Sequence, residues 1–478
     1  MLINLSNLKY IFLYLSLGFI LLMPGCSPLH KKTTDKNYYN ENKLIEQKEP
    51  VSVTDDGKKQ LYKLKSDKPL SIDDVIALAL IQNRQIQIAL RNEKIAKDRI
   101  DQSFSEYLPS LELSSNYNYR NNDPGMKNPT TGAKNISGEK GTFASSVTAS
   151  YVLTDFGGRS CRLNAAEIDK LIAKFVSLEE YQRITFEVTE FYFKVLQAKH
   201  FFDVAKKAVA RCSKQVDISM DLFKNEIVAK NDVLSSEIRL AEAKQMLITA
   251  ENNEILIRAA LNFKLGIDID NQTDIIDITE IPKFPLEYKR CLLMAIDNRP
   301  ELKRLKSEKE KAKNNLKAKK AEFAPQIRAE GSYNYSSDEY RLNDSYLAAG
   351  IFLQWDFIKG GKVPAKIREA HRFIEQAEDF IKLQNDAIAL EVKTAFLRCD
   401  ENRKRIDVAK QAVNQADENL RIFEDQYKEA LVSINEILIA QTLITKTNFD
   451  YYTALYDYHI AFARLENAIG TRILVKNK

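Results

Sequence analysis

Glycine and proline are scarce in this chain, with 15 and 12 in 478 residues. Few chain breakers favour long uninterrupted helices over many short elements. Histidine occurs four times, at His30, His200, His371 and His459, and the five cysteines are equally dispersed, at Cys26, Cys161, Cys212, Cys291 and Cys399. Neither set has the spacing of metal ligands, which argues against a zinc site and leaves no cofactor to expect. No nucleophile–base pair and no phosphate-binding loop stands out, so no enzymatic activity is expected. Beyond residue 23, no apolar run is long enough to cross a membrane as a helix. Membrane insertion of the remaining chain therefore requires a β-barrel. Charge of one sign is lacking too. Against 71 Lys and Arg stand 66 Asp and Glu, and the net +5 is read as solvated surface spread along the chain. A nucleic-acid partner is not expected.

What is present begins with an export signal. Lys9 precedes an apolar run from Ile11 to Met23, and Pro24-Gly25-Cys26 follows. Residues 1–25 read as a signal peptide. A small residue before Cys resembles a lipobox, where a bacterial lipoprotein is cut and its cysteine acylated, although Met23 and Pro24 depart from the usual residues. Cys26 is thus the expected lipidation (palmitate) site. Ser27 after it resembles the outer-membrane sorting pattern of Gram-negative lipoproteins. Residues 26–70, rich in Lys, Asn, Asp and Glu, read as an extended lipid-anchored tether. Fully stretched, such a segment spans about 145 Å.

The body of the chain is written twice. Residues 187–266 lie over residues 391–470 without a gap, Glu187-Val188 on Glu391-Val392 and Gly266 on Gly470. This is a duplicated half-protein and not a short solenoid repeat. Repeat 1 spans 71–270 and repeat 2 spans 271–470, with a tail at 471–478. Each repeat reads as helix, two strands, long helix and helix. The first helix starts at Ser71, with Asp74 three residues on as in a capping box, and runs to about Tyr107. Its counterpart starts at Arg299-Pro300 and stops before Pro325.

The hydrophobic period then changes from about 3.6 to 2. Strands are expected at 110–120, 142–153, 326–336 and 346–357. In the first, Leu111, Leu113, Tyr117 and Tyr119 share one face, and Glu112, Ser114, Asn116 and Asn118 share the other. In the last, Leu347, Ile351, Leu353, Trp355 and Phe357 alternate with Tyr346, Gly350, Gln354 and Asp356. Apolar and polar faces on strands of this length fit a membrane barrel with lipid outside and water inside. Loops 121–141 and 337–345 then face the cell exterior.

Helices follow at 159–224 and 232–264, and again at 362–426 and 434–468. The longer ones approach 100 Å and need helical neighbours along their length. In the last helix Thr447, Ala454, Ala461 and Ala468 repeat every seven residues beside Tyr451, Tyr458 and Leu465, a small row next to a large one that suits antiparallel coiled-coil packing.

Four strands cannot close a barrel, and open edges in lipid leave backbone groups unpaired. Copies must pool their strands: two give eight, and three give twelve, wide enough for a water path.

These features together resemble the TolC-like outer membrane efflux protein family over about residues 70–470. The likeness rests on SIDDVIALAL from Ser71, Leu108-Pro109-Ser110, the Asp155-Phe156-Gly157-Gly158 turn, Asn298-Arg299-Pro300-Glu301-Leu302, the segment from Tyr427 to Leu438, and Leu465 to Gly470. The resemblance implies a mainly α fold with a membrane β-barrel: a homotrimer with a twelve-stranded barrel continued by a periplasmic α-helical barrel. It implies passive export in a tripartite efflux or type I secretion system, with a periplasmic adaptor and an inner-membrane pump as partners. The competing reading is a periplasm-spanning structural lipoprotein without a lumen, for which amphipathic strands have no use.

By the same resemblance, turns 223–234 and 427–438 form the periplasmic gate. Asp232 and Glu436 occupy the acidic positions, tripled into a ring that favours cations. Tyr427 occupies the aromatic position, whose hydroxyl is implied to bond between helices, with Asp232 as the candidate partner. The family usually places Gly three residues after the aromatic in each tip turn; here Glu226 and Ala430 stand there, Val432 stands where the family can have a basic residue, and Ile439 stands at a second acidic position of some members. Of the cysteines, only Cys291 and Cys399 fall near enough in depth along the helices to pair.

Overall fold

A computed structural model describes residues 69–472 apart from 123, 283–286, 359 and 430. The signal peptide at 1–25, Cys26, the tether up to residue 68, Ala430 and the tail beyond 472 lie outside the described residues. Repeat 1 contains α1 (Ile72–Gln82), α2 (Arg84–Ser105), β1 (Ser110–Tyr119), β2 (Gly125–Lys127), β3 (Lys134–Ile136), β4 (Gly141–Thr154), α3 (Gly158–Lys224) and α4 (Lys230–Leu265). Repeat 2 contains α5 (Tyr288–Asn298), α6 (Pro300–Ala321), β5 (Gln326–Ser336), β6 (Ser345–Gln354), α7 (Lys362–Lys428) and α8 (Ile434–Ile469).

The opening helix expected from Ser71 to Tyr107 is two helices. Ser71 caps the first, trading hydrogen bonds with Asp74. Asn83 then turns the chain in extended backbone and caps the second, its Oδ1 accepting from the Gln85 amide at 2.8 Å. Repeat 2 has the same joint at Arg299, between α5 and α6, and α5 was not foreseen. The joints exist because something presses on them. Gly266 and Gly470, left-handed at φ +76° and +79°, end α4 and α8. A Cβ on Gly266 would stand 2.7 Å from the Gln82 carbonyl oxygen, and one on Gly470 would stand 3.3 Å from the Arg299 nitrogen. Asn83 donates to the Lys264 carbonyl, and buried Arg299 to the Ala468 carbonyl and Glu391. Each joint is thus clasped to the end of the following helix hairpin.

The four long strands make one antiparallel sheet in the order β1-β4-β5-β6. One row across it reads Leu113, Val147, Tyr333, Leu347, all on the expected apolar face and all exposed. Among the described residues β1 and β6 are open edges. β6 ends at Gln354, short of the expected 357, because its partner β5 begins opposite at Gln326; the Trp355 indole N–H just beyond donates to the Phe323 carbonyl at 3.0 Å. The loop after β1 holds the small β2–β3 hairpin, which was not foreseen.

α3 and α7 have 67 residues each, about 100 Å of helix. α3 packs on α2, α4, α6 and α8, while α7 packs on α5, α6 and α8. The largest core cluster joins Ile184, Val188, Tyr192 and Leu196 of α3 to Leu455, Tyr456, Tyr458 and Phe462 of α8, with Val75 of α1 and Leu261 of α4. Thr447, Ala454, Ala461 and Ala468 are all buried in α8, as are Tyr458 and Leu465. Cys291 and Cys399 are both buried and both free thiols.

Candidate functional site at the helix tips

The α3–α4 and α7–α8 turns come together at the ends of the helices farthest along the chain from the sheet. The first turn is a helix stop in which the Ile227 amide donates to the Leu222 carbonyl at 2.9 Å and the Glu226 amide to that of Phe223 at 2.9 Å. This geometry sets its penultimate residue left-handed, a place usually held by glycine. Glu226 fills it at φ +59°, at a strain of about 1–2 kcal/mol. The turn thus keeps the shape that glycine favours with a glutamate in the place. In the second turn the Leu431 amide donates to the Gln426 carbonyl at 2.9 Å.

Between the turns lies an apolar plug of Tyr427, Ile434 and Ile437, with Ile218, Leu222 and Phe423 against it. Tyr427 is 2% exposed, and burial pushes its phenol up. Its hydroxyl lies 3.3 Å from Ser219 Oγ of α3, not on Asp232. Ser219 Oγ lies 3.0 Å from Ser236 Oγ of α4, and Ser236 donates to the Asp232 backbone carbonyl at 2.9 Å. Asp232 thus joins the tip through its main chain, while its carboxylate acts on Tyr427 as a nearby charge. The relay ties three helices together through fully buried Ser219, a residue the sequence reading passed over.

Glu436 sits in the first turn of α8 on the exposed surface. It accepts from the Ser433 hydroxyl and from backbone amides, and these bonds hold its carboxyl below the usual range. It is half of a capping box as well as an exposed negative charge.

Above the plug the α3–α8 seam stays polar for about three turns. Gln215 donates to Ser219 at 3.3 Å, the Cys212 thiol to Gln441 at 3.5 Å, and the Arg211 guanidinium to Thr445 at 3.1 Å. Higher still the seam becomes aromatic. There the segment between α4 and α5 is pinned across it: Tyr192 donates to the Ile276 carbonyl at 2.6 Å, Tyr456 to Asp277 at 3.0 Å, and Tyr458 to the Pro282 carbonyl at 2.6 Å. His459 stacks on Phe193 at 4.6 Å, and burial pushes its imidazole down to about 4. The helix pairs are thus bound firmly at mid-length and held at the tip by a short set of neutral hydrogen bonds.

Among the described residues no group of His, Cys, Asp or Glu could hold a metal, and no helix is long and apolar enough to cross a membrane. The site is a joint between helices.

Known proteins share this plan. The chain is 20% identical to the outer membrane protein TolC of Escherichia coli K12 over 419 residues, covering 82% of this chain and 80% of TolC. It is 26% identical to TolC of Vibrio cholerae over 212 residues, covering 44% of this chain and 46% of that one. Among solved structures it is similar to the CmeC outer membrane channel of Campylobacter jejuni, with a TM-score of 0.73, 15% identity and coverage of 84% and 85%. It is similar to VceC of Vibrio cholerae with a TM-score of 0.70, 15% identity and coverage of 84% and 96%. The family model for outer membrane efflux proteins matches residues 75–266 and 292–471, one block in each repeat. With both repeats, the sheet and the paired helix tips accounted for, the chain belongs to the outer membrane efflux protein family.

Proposed function

We propose that three copies of this chain form an outer-membrane export duct, a twelve-stranded barrel continued through the periplasm by an α-helical barrel. The observation that carries this reading is the four-stranded sheet with two open edges, apolar on one face and set on helices of about 100 Å. In lipid those edges must be paired, and only other copies supply partners. Exposed apolar rows on the helices support the same assembly. Ile248, Ile255 and Phe263 on α4 are exposed at spacings of seven and eight, and on α7 two seven-residue rows are exposed, Phe373–Phe380 and, three residues on, Leu383–Leu390–Leu397. Rows of this kind suit coiled-coil neighbours.

The duct is a passive conduit of a tripartite efflux or type I secretion system. A periplasmic adaptor and an inner-membrane pump dock on it and open it. An acyl chain on Cys26 holds each protomer to the outer membrane. Asp232, Tyr427 and Glu436 form the periplasmic gate, Tyr427 closing it through Ser219 and Glu436 setting ion preference. The family is one of transport ducts and not of enzymes. A lumenless envelope tether is disfavoured because it leaves the apolar sheet face without a purpose.

The test is conductance across planar bilayers of the purified full chain. Steady cation-preferring channels are expected, and Glu436→Gln, which keeps the turn while removing the charge, should lower that preference. Absence of any conductance would overturn the duct; unchanged preference would remove Glu436 from the gate.

A further inference from the structure

The net charge of the chain is small, but it is not spread evenly, as the sequence reading had it. α6 carries Lys303, Arg304, Lys306, Lys309, Lys311, Lys313, Lys317, Lys319 and Lys320 against Glu301, Glu308 and Glu310. Its counterpart α2 is close to balanced, with Arg84, Arg91, Lys94, Lys97 and Arg99 against Glu93, Asp98 and Asp101.

Several of these cations have work inside the fold. Arg304 pairs with Glu179 at 2.7 Å, Lys309 with Glu378 at 3.0 Å, and Lys311 with Asp169 at 2.6 Å, riveting α6 to α3 and α7. Lys319 and Lys366 share Glu322 at 2.9 and 2.7 Å. Lys317 and Lys320 are different. Both are exposed, and among the described residues no carboxylate pairs with either. They stand on the last turns of α6, a few residues before β5 begins at Gln326.

At the same level the molecule exposes Phe323, Trp355, Phe357 and Ile358, with Trp355 tied to the Phe323 carbonyl. Aromatic side chains at the end of membrane strands, with lysines just beyond them, mark the boundary where acyl chains give way to headgroups. A lysine there keeps its stem on apolar surface and its ammonium among phosphates. The matching rim in repeat 1 is self-satisfied: Arg162 pairs with Glu106 at 2.6 Å and with Asp155 at 3.1 Å. At the last turn of the helix before the strands, repeat 2 thus offers exposed cations without carboxylate partners among the described residues, where the corresponding positions of α2 in repeat 1 are Asp101 and Phe104.

We infer that Lys317 and Lys320, beneath the Phe323–Trp355 rim of repeat 2, bind the phosphate headgroups of anionic phospholipid in the inner leaflet of the outer membrane. The inference rests on the barrel reading above. Its occupant is the lipid headgroup and not free phosphate, because the lysines and the apolar rim lie together.

The experiment uses the full chain in nanodiscs of phosphatidylcholine containing a minority of phosphatidylglycerol. Co-purifying lipid is counted by native mass spectrometry after mild delipidation. Roughly tenfold enrichment of phosphatidylglycerol is expected, from two lysines at the headgroup level. Lys317→Gln with Lys320→Gln should abolish it, while Lys382→Gln with Lys404→Gln, in α7 well away from the strands, should leave it intact. Glutamine keeps the exposed helix, so loss of folding does not confuse the result. Insertion without headgroup preference, or equal preference in both double variants, would overturn the inference alone. Binding to cell-wall sacculi that depends on Lys317 and Lys320, without lipid preference, would also overturn it. Failure to insert into nanodiscs at all would count against the barrel itself.

Discussion

Tyr427 brings its hydroxyl into an otherwise apolar plug, and Ser219 receives it there. Tyr427→Phe leaves Ser219 with Ser236 and Gln215, so the loss is one neutral hydrogen bond, about 1 kcal/mol. Ser219→Ala strands a buried phenol and loosens three helices, and should cost about 2 kcal/mol. The resting conductance of the closed channel should therefore rise in both variants, and more in Ser219→Ala. Equal leak in wild type and both variants would remove the relay from the closed state. A second residue-scale consequence concerns pH. His459 is held neutral, its folded value of about 4 lying below the ordinary 6.5. The unfolded chain takes the proton first, so stability is full above about 6.5 and declines as pH falls toward 4. The stake is of the order of 3 kcal/mol. Thermal melts of wild type and His459→Phe across that window should show the acid-dependent loss in wild type and a flatter profile in the variant. At this scale the sequence was legible only in part. Tyr427, Asp232 and Glu436 were marked by the resemblance of their segments to family motifs. Ser219 carries no local mark, for its partner is 208 residues away and only the packing of α3 on the α7 tip brings them together.

Among the elements, the duplication explains most of what could be read in advance. Strand periodicity is a two-residue rule that survives in any context, so the apolar rows of β1, β4, β5 and β6 were visible before any contact was known. The joint at Asn83 was not, because the apolar period runs on through it, and the turn is clasped by the helix end that arrives from the other side; at Arg299 the following Pro300 marked the start of α6, but α5 before it was missed. The clasp makes a direct prediction. Gly266→Ala must take a left-handed backbone and also push against the Gln82 carbonyl, whereas Gly470→Ala meets looser contacts. Losses of about 3 and about 1–2 kcal/mol are expected, read from denaturant midpoints in detergent. Equal losses would mean that backbone strain alone sets the cost and that the clasp on α1–α2 contributes nothing. The end of β6 was misplaced by three residues because Trp355 fits the alternation, while the partner strand β5 begins opposite Gln354.

At the scale of the whole molecule, the proposed duct makes each chain a fragment of a shared wall. Its helices bury a core in four clusters, yet among the described residues its sheet exposes the apolar face and is open at both edges, and its helices expose apolar rows that no described residue covers. Such a surface is unfavourable for a monomer in water and satisfied in a ring of copies that meets lipid above and water within. The most direct measurement is covalent capture of the ring in native membranes. With the four described cysteines replaced, Leu113→Cys on β1 is combined in turn with Leu347→Cys, Ile351→Cys or Leu353→Cys on β6, and the membranes are oxidised. Three-copy bands in at least one register are predicted, since β1 of each chain must lie beside β6 of the next. Bands of one copy alone in every register would contradict the shared barrel.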